Sequence, residues 1–206
     1  MIDGFNLYHS LDKASGDLGG AQTKWLDLIG LCSNYLPQIG NGAEVESVHY
    51  FSAPAGHVEQ AEPGALDRHW AYIRAIESTG VTVELGNFKA KQRKCPHCQQ
   101  PIVSHEEKET DVAIAVRLLD LLWSKSCDAV AVVSADSDLS PAIRLAMKRF
   151  PGTQIYCLFP YGRGSFDLHA LATKVIRLRS AAYRQHQLPD PVGLPDGSII
   201  AKPSAW

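Results

Sequence analysis

Residues 128–140, DAVAVVSADSDLS, decide how the rest of the chain is read. The run AVAVV is apolar without alternation, the pattern of a strand covered on both faces, and such strands belong to parallel sheets flanked by helices. It ends on Ser134, Asp136 and Asp138. In open α/β sheets, ligand-binding groups gather in the crevice at the carboxyl ends of the strands, above all where strand order reverses. Working outward, VESVHYFSA (45–53), VTVELG (81–86) and TQIYCLFP (153–160) are rich in β-branched and aromatic residues and read as further strands. Helix-like stretches lie at about 23–37, 63–79, 105–125, 139–150 and 165–173. This alternation predicts an α/β fold, a three-layer α/β/α sandwich around a mostly parallel sheet.

The chain of 206 residues with 45% apolar content can bury one sizeable core with a small appendage. Its net charge of −2 carries no global basic signature, so nucleic-acid binding would rest on a local patch or on metal ions. No stretch approaches the ~18 apolar residues of a membrane span, which predicts a cytoplasmic protein without a membrane partner. Cys32, Cys127 and Cys157 stand singly in apolar surroundings and read as reduced thiols. Residues 87–104, NFKAKQRKCPHCQQPIVS, break the rhythm and read as an inserted loop or hairpin, while 181–206 is a proline-rich tail with Trp206 to bury.

Three acidic features fall near expected strand ends. Asp3 in MIDGFNLYHS has only Met1 and Ile2 before it, so either the start lies upstream or the first strand is a stub at a terminus, where residues fray. Gly4 would then supply a left-handed turn. Asp136 and Asp138 follow AVAVVS, and Asp111 lies in EKETDVAIAVRLLDLLW. There Asp111, Ala115, Leu118 and Leu122 recur at helical spacing, which places Asp111 on the core-facing stripe and Asp120 opposite it. SHEE at 104–107 resembles a capping box that would start this helix. Like charges ~4 Å apart repel by about 4 kcal/mol at an effective dielectric near 20, so carboxylates gathered in a crevice call for a cation. Oxygen-only donors suit Mg²⁺ or Mn²⁺. Simpler roles compete: Asp138, or Ser140 with Pro141, could cap the next helix, and Asp3 could be a turn residue.

Read together, IDGFNL (2–7), KETDVAIAVRLLDLL (108–122) and VVSADSDLSPAI (132–143) resemble the NYN domain family, PIN-like nuclease-fold proteins of the LabA and limkain type. The resemblance implies a PIN-like domain over 1–180 with a basic CxxC insertion at about 87–104, and metal-dependent RNA hydrolysis by Asp3, Asp111, Asp136 and Asp138. It implies that Asn6 shapes the site and that Ser134 positions a metal-bound water or a phosphate. SFDLHALATKVIRL (165–178) resembles a family segment that often carries an acid where Thr173 stands, with Asp167 as a substitute. A site weakened there would leave the alternative, a non-catalytic RNA-binding or regulatory module.

Cys95, Cys98 and His105 could supply zinc ligands, short of the usual four; a redox dithiol and plain turn cysteines are the competing readings. Lys89, Lys91, Arg93 and Lys94 form the strongest basic cluster and could hold phosphates, as could Arg163 in YGRGS. Phe88 and Tyr161 could stack bases. Trp25, Trp70 and Trp123 are expected in the core. No GxSxG elbow or nucleophile with a companion base points to acyl transfer. A phosphatase reading lacks the second aspartate of a first-strand pair, because position 5 is Phe.

Overall fold

The computed structural model describes residues 1–206. In chain order its elements are β1 (Ile2–Asp3), α1 (Gly4–Asp17), α2 (Leu28–Ile39), β2 (His49–Ser52), α3 (Ala65–Ser78), β3 (Thr82–Leu85), β4 (Asn87–Lys94), β5 (Pro101–Lys108), α4 (Thr110–Trp123), β6 (Ala129–Val133), α5 (Ser140–Arg149), β7 (Gln154–Phe159), α6 (Phe166–Leu171), β8 (Lys174–Arg177), α7 (Ser180–Gln185), β9 (Val192–Gly193) and β10 (Ile199–Ile200). The central sheet has six strands in the order β3-β2-β1-β6-β7-β8, all parallel. From β1 the order runs to β2 and β3 on one side and to β6, β7 and β8 on the other. The reversal therefore lies between β1 and β6, where a crevice must open above the sheet.

Alternation along the buried strands divides the core into two layers. Tyr156 and Leu158 join α1, α2, α3 and α7, while Ile155, Cys157 and Phe159 join α4, α5 and α6. The unbroken apolar character of AVAVV follows, since Val130 and Val132 face one layer and Val133 the other.

The expectation of a frayed Asp3 fails. β1 holds two residues but occupies the middle of the sheet, with Ile2 paired to Tyr50 on one side and to Val133 on the other. The Met1 ammonium donates to the Ala131 carbonyl at 2.8 Å, and Val133 N–H donates to the Met1 carbonyl at 2.9 Å. Ile2 is fully buried. A strand end flanked on both sides has no room to fray.

No turn follows Asp3. Helix α1 begins at Gly4, which does not take the expected left-handed conformation. Its glycine is needed for another reason: a Cβ there would lie 2.6 Å from both the Phe51 carbonyl oxygen and the Tyr50 ring.

The helix expected from 105 begins at Thr110 instead, because 101–108 form β5, paired antiparallel with β4 over eight residues. The insertion is thus a hairpin running to Lys108. Glu109, left-handed at φ 77°, makes the break between strand and helix. The buried stripe of α4 is Thr110, Ile114, Leu118 and Leu122, so Asp111 sits one helical step off it in the first turn. Asp120 is exposed and accepts from Arg117 at 2.9 Å.

The C-terminal segment packs on the α2–α3 side. Trp25 Nε1 donates to the Pro189 carbonyl at 3.0 Å, and its ring meets those of Tyr72 and Trp206. Trp25 is core, but Trp70 and Trp123 are 40% and 80% exposed, Trp123 because it falls beyond the last buried turn of α4. All five cysteines are unpaired. No helix is long and apolar enough to cross a membrane.

Overpacking a tight contact typically costs about 1–3 kcal/mol. Gly4→Ala, which drives a methyl into Tyr50 and Phe51, is expected to destabilise by that amount in urea unfolding, whereas Gly16→Ala, with open space around the new Cβ, should not.

Candidate active site

The crevice is built on a hydrogen-bonded tie between β1 and the loop after β6. Asp3 is the N-cap of α1; its Oδ1 accepts from Asn6 N–H at 2.9 Å and its Oδ2 from the Ser134 hydroxyl at 2.8 Å. Ser134 Oγ in turn accepts from Asp136 N–H at 3.0 Å, and Asn6 Oδ1 accepts from Ala135 N–H at 3.2 Å. Asp136 Oδ1 then accepts from Asp138 N–H at 3.0 Å and caps the turn that leads into α5. Neither Asp138 nor Ser140 caps α5; Asp136 holds the turn instead. Ser134 is 0% exposed and its hydroxyl is committed in both directions, so it orients Asp3 and Asp136 and does not reach a water or phosphate.

Around this fixed frame the structure collects acidic groups. Burial raises the Asp3 carboxyl, with Asn6 N–H and the Ser134 hydroxyl opposing it, the Asp136 charge adding to the rise and the Arg163 charge working against it. Asp111 is pushed up to about 6 by partial burial and by the charges of Asp136, Asp3 and Asp138. Hence Asp111 joins the cluster from the first turn of α4, on the crevice side of the helix and not on its core stripe. Asp138 stands exposed at the rim. Arg163, also exposed, comes from the loop after β7 on the same side.

One member is absent from the sequence reading. Glu107 is half-buried and accepts from the Thr110 hydroxyl at 2.6 Å; its carboxyl is raised by burial and then by the charges of Asp3 and Asp111. Reading SHEE as a helix start hid it, because only a strand ending at Lys108 aims Glu107 into the crevice.

Other expected members lie elsewhere. Thr173 meets Ile155 at the amino ends of β7 and β8, across the sheet from the crevice, so an acid at that position could not complete the cluster. Asp167 is exposed in the first turn of α6. Successive residues of a strand point to opposite faces, and the hairpin divides its charges accordingly. Phe88 and His105 share the face of Glu107, whereas Lys89, Lys91 and Arg93 share the other face with Glu106. Lys91, Arg93 and Lys108 all contact Glu106 there. Those three basic residues of the cluster therefore turn away from the carboxylates, and Lys94 sits near the hairpin tip. His105 pairs with Ala90, four steps below the Lys94–Pro101 pair beside the cysteines, roughly 13 Å at ~3.3 Å per residue. It stacks on His57 instead, with ring centroids 4.1 Å apart. Cys95, Cys98 and His105 thus do not form a zinc set.

The main cluster suits a hard cation in its chemistry. Its donors are all oxygens, and the charges of Asp136, Asp3 and Asp138 add to burial in raising Asp111, a repulsion that a divalent ion relieves. No group of three or more acidic, histidine or cysteine side chains is set as a finished cage. Ions that retain several waters do not need one.

A parallel six-stranded sheet between helical layers, with its acidic crevice at the switch point, defines a PIN-like α/β/α sandwich. The NYN domain model matches residues 1–178, and the chain belongs to the NYN domain family. A crystal structure of a protein of unknown function from Vibrio parahaemolyticus shares the fold at a TM-score of 0.56 and 16% identity, covering 91% of this chain and 93% of that one. No curated protein matches the sequence.

Because the folded state holds the Asp111 proton more tightly than the unfolded chain, it binds more protons between about pH 4 and 6, and stability falls as pH rises through that window. Metal-free protein should show this as a declining Tm, and Asp111→Asn should flatten it. Ser134→Ala strands an oxygen of Asp3 and the N–H of Asp136, and should cost about 1–3 kcal/mol in denaturant titration.

Proposed function

We propose that this chain is a metal-dependent ribonuclease that hydrolyses RNA phosphodiester bonds at Asp3, Asp111, Asp136 and Asp138. The observation that carries the reading is the crowding of carboxylates at the switch point, where partial burial and then the charges of Asp136, Asp3 and Asp138 push the Asp111 carboxyl up to about 6. Crowding of this kind opposes folding and is understandable where a cation and a phosphate are to meet. Mg²⁺ or Mn²⁺ held by Asp3, Asp111 and Asp136 would neutralise the cluster, polarise the scissile phosphate and lower the pKa of a bound water.

The chain's own residues divide the remaining work. Asp3 and Asp136 are held in place by the Ser134 and Asn6 bonds, so their orientation is set before substrate arrives. The Asp138 carboxylate accepts no hydrogen bond within the chain and stands at the rim, free to take a proton from the attacking water. The exposed Arg163 guanidinium can pair with a phosphate oxygen beside the acids.

The test is cleavage of single-stranded RNA with Mn²⁺ by wild type and by Asp136→Asn. The variant should lose at least about 10²-fold in rate while keeping the wild-type circular dichroism spectrum. Equal rates in the two proteins would exclude the mechanism. RNA bound equally well with and without chelator, and never cut, would instead mark a binding module.

A further inference from the structure

A second cavity, about 510 Å³, opens between the hairpin and the loop after β2. Gly56 and His57 line it from the loop, Gly86 from the link after β3, and Asn87, Phe88 and His105 from the hairpin. It thus sits at the carboxyl ends of β2 and β3, on the same edge of the sheet as Asp3 at the end of β1. Phe88 is the cross-strand partner of Glu107, the carboxylate that feels the Asp3 and Asp111 charges. The cavity and the acidic crevice are therefore neighbours, one side chain apart.

Its walls have a particular chemistry. His57 and His105 are both exposed and stack with planes 13° apart and centroids at 4.1 Å, while Phe88 lies against His57 at 4.6 Å. No lysine or arginine lines the cavity, so it is not built for phosphate. Asn87 supplies the polar feature. Its Nδ2 donates to the Glu109 carboxylate at 3.0 Å, and because a carboxylate only accepts, this bond fixes which way the amide points. Its Oδ1 is then a buried acceptor with no partner. The partner Glu109 is itself held left-handed, a conformation a non-glycine residue keeps only when its surroundings impose it. A cavity lined by rings and free of cations asks for a flat, uncharged aromatic ligand.

We infer that this cavity holds one nucleobase of the RNA strand cut at the neighbouring carboxylates, packed against the ring cluster of His57, Phe88 and His105. The inference rests on the RNA reading above and adds to it a base subsite that fixes the register of the strand. Phe88 and His105 are binding residues here, not catalytic ones.

The test is a cycle between protein and RNA, run with Ca²⁺ in place of Mn²⁺ so that the acids are neutralised for binding while turnover is held back. A short oligoadenylate carrying 2-aminopurine at one position after another should show one position whose fluorescence is quenched on binding. An abasic nucleotide at that position should weaken wild-type binding about tenfold, within the range for one stacked base. Phe88→Ala should weaken binding of the intact strand by the same factor, abolish the quenching, and lose nothing further with the abasic strand. His105→Ala, at an exposed ring, should repeat the pattern in weaker form, and an unchanged circular dichroism spectrum guards against a misfolded variant. If both ring variants and the abasic strand act additively, the base lies elsewhere and the subsite is overturned while the RNA reading stands. If wild type neither binds nor cleaves RNA, both fall together.

Discussion

The hydrogen bond from the Ser134 hydroxyl to Asp3 is the contact on which the site depends. It joins the ends of two strands that are 131 residues apart in sequence and adjacent in the sheet. β1 is too short to fix its own carboxylate by ladder bonds alone, and α1 begins at once behind it. Orientation must come from the side, and the wholly buried Ser134 provides it while also accepting from Asp136 N–H. Asn6 repeats the arrangement one turn along, giving its own N–H to Asp3 and its side-chain oxygen to Ala135 N–H. Two acids from opposite sides of the switch point become one rigid unit.

Much of this was legible in the chain. AVAVV announced a strand covered on both faces, and the aspartates after it announced the crevice, because both signals are local and strong. Three kinds of feature were not legible. Asp3 looked insecure because sequence shows only what precedes a residue, whereas its anchorage comes from Tyr50 and Val133 across the sheet. The start of α4 was misplaced because SHEE satisfies a capping pattern; pairing with β4 overrides that local preference, and Glu107 moves from a helix surface into the crevice. The basic cluster was read as one patch, although a strand sends alternate residues to opposite faces, and Glu106 then draws Lys91 and Arg93 away from the acids. In each case the missing information was which neighbour the fold supplies.

Electrostatics gives the arrangement its meaning. A net charge of −2 over 206 residues is unremarkable, yet Asp3, Glu107, Asp111, Asp136 and Asp138 are drawn to one edge of the sheet. The proximate cationic side chain is Arg163, which is exposed and cannot offset the cluster in the way a buried partner would. Folding therefore leaves negative potential at the point where a polyanion would have to approach. Direct attraction of RNA by the crevice is ruled out by sign until a cation is present, so cation and strand are expected to bind in a linked manner.

The two halves of the site also differ in how they are held. Asp3, Asn6, Ser134 and Asp136 are locked by bonds among themselves, while Asp138 and Arg163 stand at the exposed rim with side chains free of partners within the chain. Asp111 and Glu107 belong to the junction where hairpin passes into helix, through the left-handed Glu109. The hairpin thus carries one wall of the acidic crevice at its base and the ring-lined cavity directly above it. Under the base-subsite proposal, a bound base and the carboxylates of Glu107 and Asp111 share one short stretch, residues 105–111, so strand binding and cation binding are expected to be linked there.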